Sequence, residues 1–431
     1  MLGMRGTGDW ATSQRPENWR EMILYLYPNG SAPLTAMMSK MKQESVNDPV
    51  FNWWTKLLPS QGGAVSGVYT DASMDTAYVS TGLVTNTLYI KVAAAVIAHF
   101  RIGHQVLLRD ASDFNVDCTA KVTGVQTNGA SSRITVELLE DDDNSSDGDL
   151  SDCDTILVIG NLNPEGSSRP TALAYDPTLW TNYTQIFRTP LEITRTARKT
   201  HLRTGDAYKE AKRECLELHS IEMEKAFLFG QLRSGTGING KPERTMRGLI
   251  NALKYGSNGT LNVGVTSNYV SDSSWAGQTW EQGGEEWLDT HLEEMFRYGR
   301  GTKLAFAGSG ALLGINRLAK AAGQIQLKST TIAYGLQVVE WITPFGTIYV
   351  KTHPLFSFEA TNRNSMLIFE PEDLRYRYID DTMFRKAPPD SEAQVSIDGT
   401  VEEYLTECGL EYHHPNGWGW LNGFNSTNTA S

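Results

Sequence analysis

The sequence predicts an α+β protein built from a long helix, a mixed sheet and a protruding β extension. Three observations predict it. Residues 206–229, "DAYKEAKRECLELHSIEMEKAFLF", carry apolar residues at three- and four-residue steps. Residues 65–160 are rich in Val, Thr and Tyr with partial alternation. From residue 301 onward, short strand-like runs alternate with one amphipathic helix.

Composition bounds the answer. A chain of 431 residues exceeds one ordinary core and fits two or three domains. With 40% hydrophobic and 10% aromatic residues it is globular, not disordered. The start, "MLGMRGTGDWATSQ", lacks the apolar run of a signal peptide. The longest purely apolar run, Val92–Ala98, is far too short to span a membrane. Cys118, Cys153, Cys215 and Cys408 form no C-x-x-C pair and are expected as free thiols in a reducing compartment. A formal charge of −12 argues against general coating of nucleic acid.

The elements follow in order. Residues 1–58 hold helix-sized pieces ("PENWREMILYLYPNG", "LTAMMSKMK") between breakers, with no stripe long enough for a core of their own; they read either as an arm lying on another surface or as two short helices capping a domain. A β extension follows, and Arg101–Gly160 reads as a compact β module of short strands. In the long helix, Tyr208, Ala211, Cys215, Leu218 and Ile221 make the apolar stripe, while Lys209, Glu210, Arg213, Glu214, Glu217 and Glu224 face solvent or a neighbour. At ~1.5 Å per residue the helix is roughly 36 Å long. A second helix is expected in "EEWLDTHLEEMFRYG", then a strand in "KLAFAG" and a helix in "SGALLGINRLAKAAG" with Ser309 as N-cap. "QVVEWITPFGTIYVKTHP" is a hairpin in which Pro344 and Gly346 suit a type I turn. "SMLIFEPEDLRYRYI" gives another strand and "VEEYLTECGLEYHH" the last, leaving Asn425–Ser431 as a loose tail.

Several motifs resemble ligand sites. Gly235–Lys241, "GTGINGK", nearly matches a phosphate-binding loop, but Pro242 stands where Ser or Thr would hold Mg²⁺. Gly308, Gly310 and Gly314 lie between a strand and a helix like a dinucleotide fingerprint. No Asp or Glu follows before Val339 to bind a ribose, so close packing explains these glycines better. Asp143–Asp154 has the spacing of a calcium loop, but strands flank it and its last ligand would be Asp; a solvated acidic loop is the simpler reading. Cys408, Glu411 and His413 fit a chance grouping on a strand better than a metal cluster. No catalytic set, cofactor site or metal site is expected.

The run Asn182–His201, "NYTQIFRTPLEITRTARKTH", sets Arg188, Arg195, Arg198 and Lys199 against one acid, Glu192. In an acidic protein such a run grips either phosphate or another protein chain.

The order of the pieces is telling. "YPNGSAPLTAMMSK" and "DPVFNWW" come first, then the β extension closing at "GNLNPEG". "NYTQIFRTPLEITRTARKT", "EMEKAFLFGQ", "MRGLINAL" and "TPFGTIYV" follow. From about Trp19 to Phe424 this resembles the major capsid proteins of tailed double-stranded DNA phages, with the HK97-like fold, in a branch with an enlarged extended loop.

The resemblance implies an N-terminal arm (1–58) and an extended loop (59–199) bearing a small β-barrel-like insertion at 101–160. It implies a peripheral domain (200–300) with a spine helix at 206–229, an axial domain (301–391), a return strand of the peripheral domain (392–424) and a tail (425–431). It further implies hexamers and pentamers in an icosahedral shell around packaged DNA, assembly in the bacterial cytoplasm, a portal, and decoration or scaffolding proteins supplied separately. Arg188, Arg195, Arg198 and Lys199 are then candidates for the subunit interface. The readings set beside it are a cytosolic nucleotide- or dinucleotide-binding enzyme and another phage structural part, a tail or decoration protein.

Overall fold

A computed structural model describes residues 42–57, 61–79, 82–113, 117–142, 150–202, 205–256, 263–322, 327–331, 337–386 and 398–430. The chain forms two compact units, Lys56–Pro177 and the remainder. Its first described strands, β1 (Gln43–Ser45) and β2 (Val50–Thr55), belong to the larger unit. Most of the expected arm lies outside the described residues.

The smaller unit is a closed six-stranded barrel. Its strands are β3 (Gly62–Tyr69), β4 (Thr87–Val92), β5 (His104–Arg109), β6 (Asp117–Gln126), β7 (Arg133–Leu138) and β8 (Thr155–Asn161), with a one-turn helix α1 (Ala94–Ile97) after β4. They close in the order β3-β4-β7-β6-β5-β8. Alternate residues point inward, so Ile90, Val106, Leu108, Val122, Ile134 and Val136 are all fully buried. The barrel therefore starts at Gly62, not at residue 101. β3 pairs with both β4 and β8, and without β3 and β4 the edges of β7 and β8 would stay open. The Tyr78 hydroxyl bonds the buried Asp142 carboxylate and accepts from Gly82 N at 2.7 Å; Leu150 N donates to Asp142 at 3.2 Å. Residues 143–149, most of the expected calcium loop, lie outside the described residues. Asp154 accepts from Ala111 N at 2.9 Å.

The larger unit begins its second passage with β9 (Thr178–Tyr183), paired with β2 in a two-stranded ribbon. Next come β10 (Gln185–Thr194), a short helix α2 (Arg195–Lys199), the small strands β11 (His201–Leu202) and β12 (Gly205–Asp206), and the spine helix α3 (Ala207–Phe229). A hairpin, β13 (Arg233–Thr236) and β14 (Pro242–Thr245), precedes helix α4 (Leu249–Lys254) and β15 (Val265–Asn268). Helix α5 (Trp280–Phe296), capped by a Thr279–Gln282 box, leads to β16 (Thr302–Ala307) and α6 (Ser309–Ala322). The remaining elements are β17 (Leu327–Thr331), β18 (Gln337–Ile342), β19 (Thr347–Thr352), α7 (Pro354–Phe358), β20 (Met366–Phe369), β21 (Leu374–Lys386), β22 (Gly399–Tyr412) and β23 (Gly419–Asn422).

Two sheets organise this unit. One has the order β1-β21-β22-β10, and the other is the mixed sheet β15-β23-β20-β16-β19-β18-β17. The second sheet draws strands from 265–268 and 419–422 as well as from the expected axial segment 301–391. The 344–346 turn forms as expected: Gly346 N donates to Thr343 O at 3.3 Å across Pro344.

Three further expectations need correction. The spine helix buries Cys215, Leu216, His219, Ser220, Met223, Glu224, Phe227 and Leu228, whereas Leu218 is exposed. The apolar stripe read from the sequence is rotated because polar His219, Ser220 and Glu224 sit on the buried face. The C-terminal residues are not loose: Phe424 packs against Trp280 and Trp287, and Asn428 donates to Asp272 O at 2.7 Å. Nor is the 399–412 strand the last, since β23 joins the second sheet. A smaller difference concerns Ser309, which opens α6 as its first residue and donates its N–H to Ser357 Oγ at 3.2 Å.

Candidate functional site

The basic run straddles β10 and α2. Alternation along β10 turns Phe187, Thr189 and Leu191 inward and Arg188, Pro190 and Glu192 outward. β10 pairs antiparallel with β22, placing Arg188 opposite Leu405 and Pro190 opposite Glu403. Arg188 therefore reaches diagonally to Glu403, its Nη2 2.6 Å and Nε 2.8 Å from the same carboxylate oxygen. Thr194 then caps α2 by accepting from Ala197 N at 3.2 Å. Arg195 Nε lies 2.8 Å from Asp398 Oδ1. Arg198 donates to Thr400 Oγ at 3.3 Å and stacks its guanidinium 5.1 Å over the Tyr208 ring. Lys199 is exposed and makes no ion pair among the described residues.

Three of the four predicted residues thus meet β22 or the residue before it, and the fourth stands beside them. The carboxylates that receive them, Glu403 and Asp398, lie more than 200 residues away in sequence. No local signal announces them; only strand pairing does. The Arg188 and Arg195 side chains remain 63% and 68% exposed. Such exposed pairs contribute about 0–1 kcal/mol each, so the guanidiniums stay available to a second carboxylate surface.

Beneath the strand, His219 on α3 bonds Thr189 Oγ at 2.9 Å through Nδ1 and Thr406 Oγ at 2.7 Å through Nε2. Burial pushes the imidazole down to about 4. The Tyr208 hydroxyl bonds Glu402, and Lys212 lies 3.7 Å over the Phe384 ring with its ammonium pKa lowered by burial. Sequence reasoning missed these groups because their partners come from β10, β21 and β22.

The ligand-like motifs have structural uses. In the 235–241 loop, Gly237 N donates to Lys241 O at 2.8 Å and Gly240 N to Gly237 O at 2.9 Å, closing a hairpin turn. At the start of α6, Gly310 N and Ala311 N both donate to Arg363 O, at 3.0 and 3.2 Å. A Cβ at Gly308 would lie 2.2 Å from that oxygen, so this glycine serves a close backbone approach. Cys408 is fully buried and its thiol is pushed up to about 12. Glu411 is held below the usual carboxylate range, against the cost of burial, by His413 Nε2 at 2.6 Å and by Arg377. Among the described residues no three His, Cys, Asp or Glu side chains gather in a way that could hold a metal, and no helix is long and apolar enough to cross a membrane.

Known proteins supply the remaining context. The major capsid protein of Pseudomonas phage PaMx41 is 25% identical over 366 residues, covering 83% of this chain and 77% of that protein. Similar solved structures include the capsid of Cyanophage P-SCSP1u, at 10% identity and a TM-score of 0.38 over 63% of this chain and 81% of that one. The capsid of Myoviridae Phage XM1 has 14% identity and a TM-score of 0.36 over 60% of this chain and 81% of that one. The family model described as SU10 major capsid protein matches residues 4–425, nearly the full length, and the chain belongs to that family.

Proposed function

We propose that this chain is the repeating subunit of a phage head: a major capsid protein whose copies assemble into hexamers and pentamers of an icosahedral shell around packaged double-stranded DNA. Its role is structural, not enzymatic. The observation that carries the reading is the family match across residues 4–425. A surface suited to many-copy contact supports it. The two-stranded β2–β9 ribbon buries Trp53 and Trp180 on one face and exposes the cross-strand pair Trp54 and Leu179 on the other.

In this reading Arg188, Arg195, Arg198 and Lys199 line a contact with the acidic surface of an adjacent subunit, where opposite charge sets register more than affinity. The domain plan belongs to the same reading: an arm, an extended loop with the barrel, a peripheral domain with the spine helix, and an axial domain. The mature location is the virion. Assembly takes place in the bacterial cytoplasm, with a portal, separately supplied scaffolding or decoration proteins, and DNA on the inner face held without sequence specificity. Size-exclusion chromatography followed by negative-stain imaging tests the reading. Capsomers or shells are expected. A small oligomer with no higher assembly removes the reading, and tubes point to a tail protein.

A further inference from the structure

After the spine helix the chain extends a hairpin before it re-enters the body. All four residues of β13 are exposed, and β14 is half-buried only at Arg244 and Thr245. Gly240, at φ +72°, shapes the turn, and Ile238 at the tip is fully exposed. An isolated two-stranded ribbon is marginal in water, and an apolar tip gains by burial. The hairpin also runs against the charge of the whole. Arg233, Lys241 and Arg244 face one acid, Glu243, within a chain of formal charge −12. None of these three cations makes an ion pair among the described residues.

The larger unit also carries a surface of opposite character. Helix α5 contains Glu281, Glu285, Glu286, Asp289, Glu293 and Glu294 and no Lys or Arg. Its opposite face is fixed by buried Trp280, Trp287, Leu288, Leu292 and Met295, so these acids face outward. Glu281, Glu285, Asp289 and Glu293 follow at four-residue steps, a like-charge stripe that destabilises a helix left alone. Of that stripe, only Glu293 has a cation among the described residues, Arg297 at 2.6 Å. Burial first, and then the neighbouring Glu285, raise the Asp289 carboxyl above its usual value.

We infer that the β13–β14 hairpin is an intersubunit arm whose Ile238 tip and flanking Arg233, Lys241 and Arg244 dock on the acidic face of α5 in a second copy of this chain. The inference rests on the shell reading and adds the contact that joins copies. Arm and acceptor are different surfaces of one chain, so the contact is head-to-tail, and repetition closes a ring when the rotation permits. Charge complementarity sets the register, and the isoleucine supplies apolar burial at the centre.

Charge reversal in the full-length chain tests it. The arm variant carries Arg233→Glu and Lys241→Glu; the acceptor variant carries Glu285→Lys and Asp289→Lys. All four side chains are exposed, and unchanged thermal melts of the monomers check the fold. Each variant alone is expected to lose at least tenfold in capsomer yield by size-exclusion chromatography. The quadruple variant, and an equimolar mixture of the two double variants, are expected to recover assembly. Recovery in the mixture also shows that both variants are folded.

Normal assembly of the arm variant overturns the inference while the shell reading stands on the wild-type shells. If assembly of the arm variant is normal but retention of added duplex DNA falls, nucleic acid is the arm's partner and the inference is again overturned. Loss in both variants with no recovery in the quadruple variant or the mixture removes α5 as the acceptor. A wild-type chain that stays monomeric at high concentration overturns the shell reading and the arm together.

Discussion

Glu224 on the spine helix and His353 just after β19 meet inside the larger unit, with Oε1 2.8 Å from Nε2 and neither side chain exposed to any degree. The imidazole is flanked by the rings of Phe306, 5.3 Å away, and Phe356, 4.8 Å away. The contact ties α3 to the segment that leaves β19, within a core that also holds Met223, Phe227, Phe306 and Phe356. A buried polar pair of this kind is costly to break from one side, because the remaining group stays desolvated.

The first prediction follows from that asymmetry. His353→Ala is expected to destabilise the chain by about 3–5 kcal/mol, read as a lower urea midpoint. Replacing both partners by apolar residues, Glu224→Leu with His353→Phe, is expected to cost less than the sum of the two single changes. Strict additivity would mean the two side chains do not interact.

A second buried pair yields a sharper local prediction. Lys303 Nζ lies 2.5 Å from Glu370 Oε1, which also accepts from Arg300 N at 3.1 Å. Gly299 passes over this carboxylate at φ +80°, and a Cβ there would lie 2.0 Å from Glu370 Oε1. Gly299→Ala therefore meets both backbone strain and a clash with a buried ion pair. It is expected to lower stability by about 1–3 kcal/mol, measured by thermal melting. A melt within error of wild type would show that the turn relaxes freely.

His219 gives a pH dependence. Burial depresses its folded pKa to about 4 from the ordinary imidazole value of 6.5, so the unfolded chain takes up the proton first as pH falls. The stability this histidine contributes is whole above pH 6.5, is lost progressively between 6.5 and about 4, and changes no further below that. The full loss is about 3 kcal/mol. His219→Gln is expected to flatten the stability profile in that window, checked by urea midpoints across pH 4–7. An unchanged slope would assign the acid sensitivity to other groups.

These sites also show what the sequence could and could not reveal. The 344–346 turn was legible because Pro and Gly act on their own backbone. The barrel strands were legible through alternation, yet closure was not, because it depends on Gly62–Ala64 meeting Thr155–Leu157 across the whole module. The direction of the spine helix was clear, but its buried face was misjudged. Glu224 looks like a solvent residue until His353, 129 residues later, is placed beside it. The basic run was visible as composition, whereas Glu403 and Asp398 became its partners only through the β10–β22 register.

That register shapes the last prediction. Arg195 and Arg198 lie in the second half of the basic run, and among the described residues their side chains hold one exposed ion pair, one hydroxyl contact and one ring contact. Interactions of this sort stabilise a fold little. Arg195→Glu with Arg198→Glu should therefore leave the melting temperature of the unassembled subunit within a few degrees of wild type. If the exposed guanidiniums face carboxylates of a neighbouring subunit, the same change puts like charges in contact, and capsomer and shell yield should fall at least tenfold. Binding of the unassembled subunit to duplex DNA should change little across a salt titration, since few phosphate contacts would be lost. Shells of normal yield in this variant would remove the run from the interface. A large drop in DNA affinity with a reduced salt slope would assign it to phosphate instead.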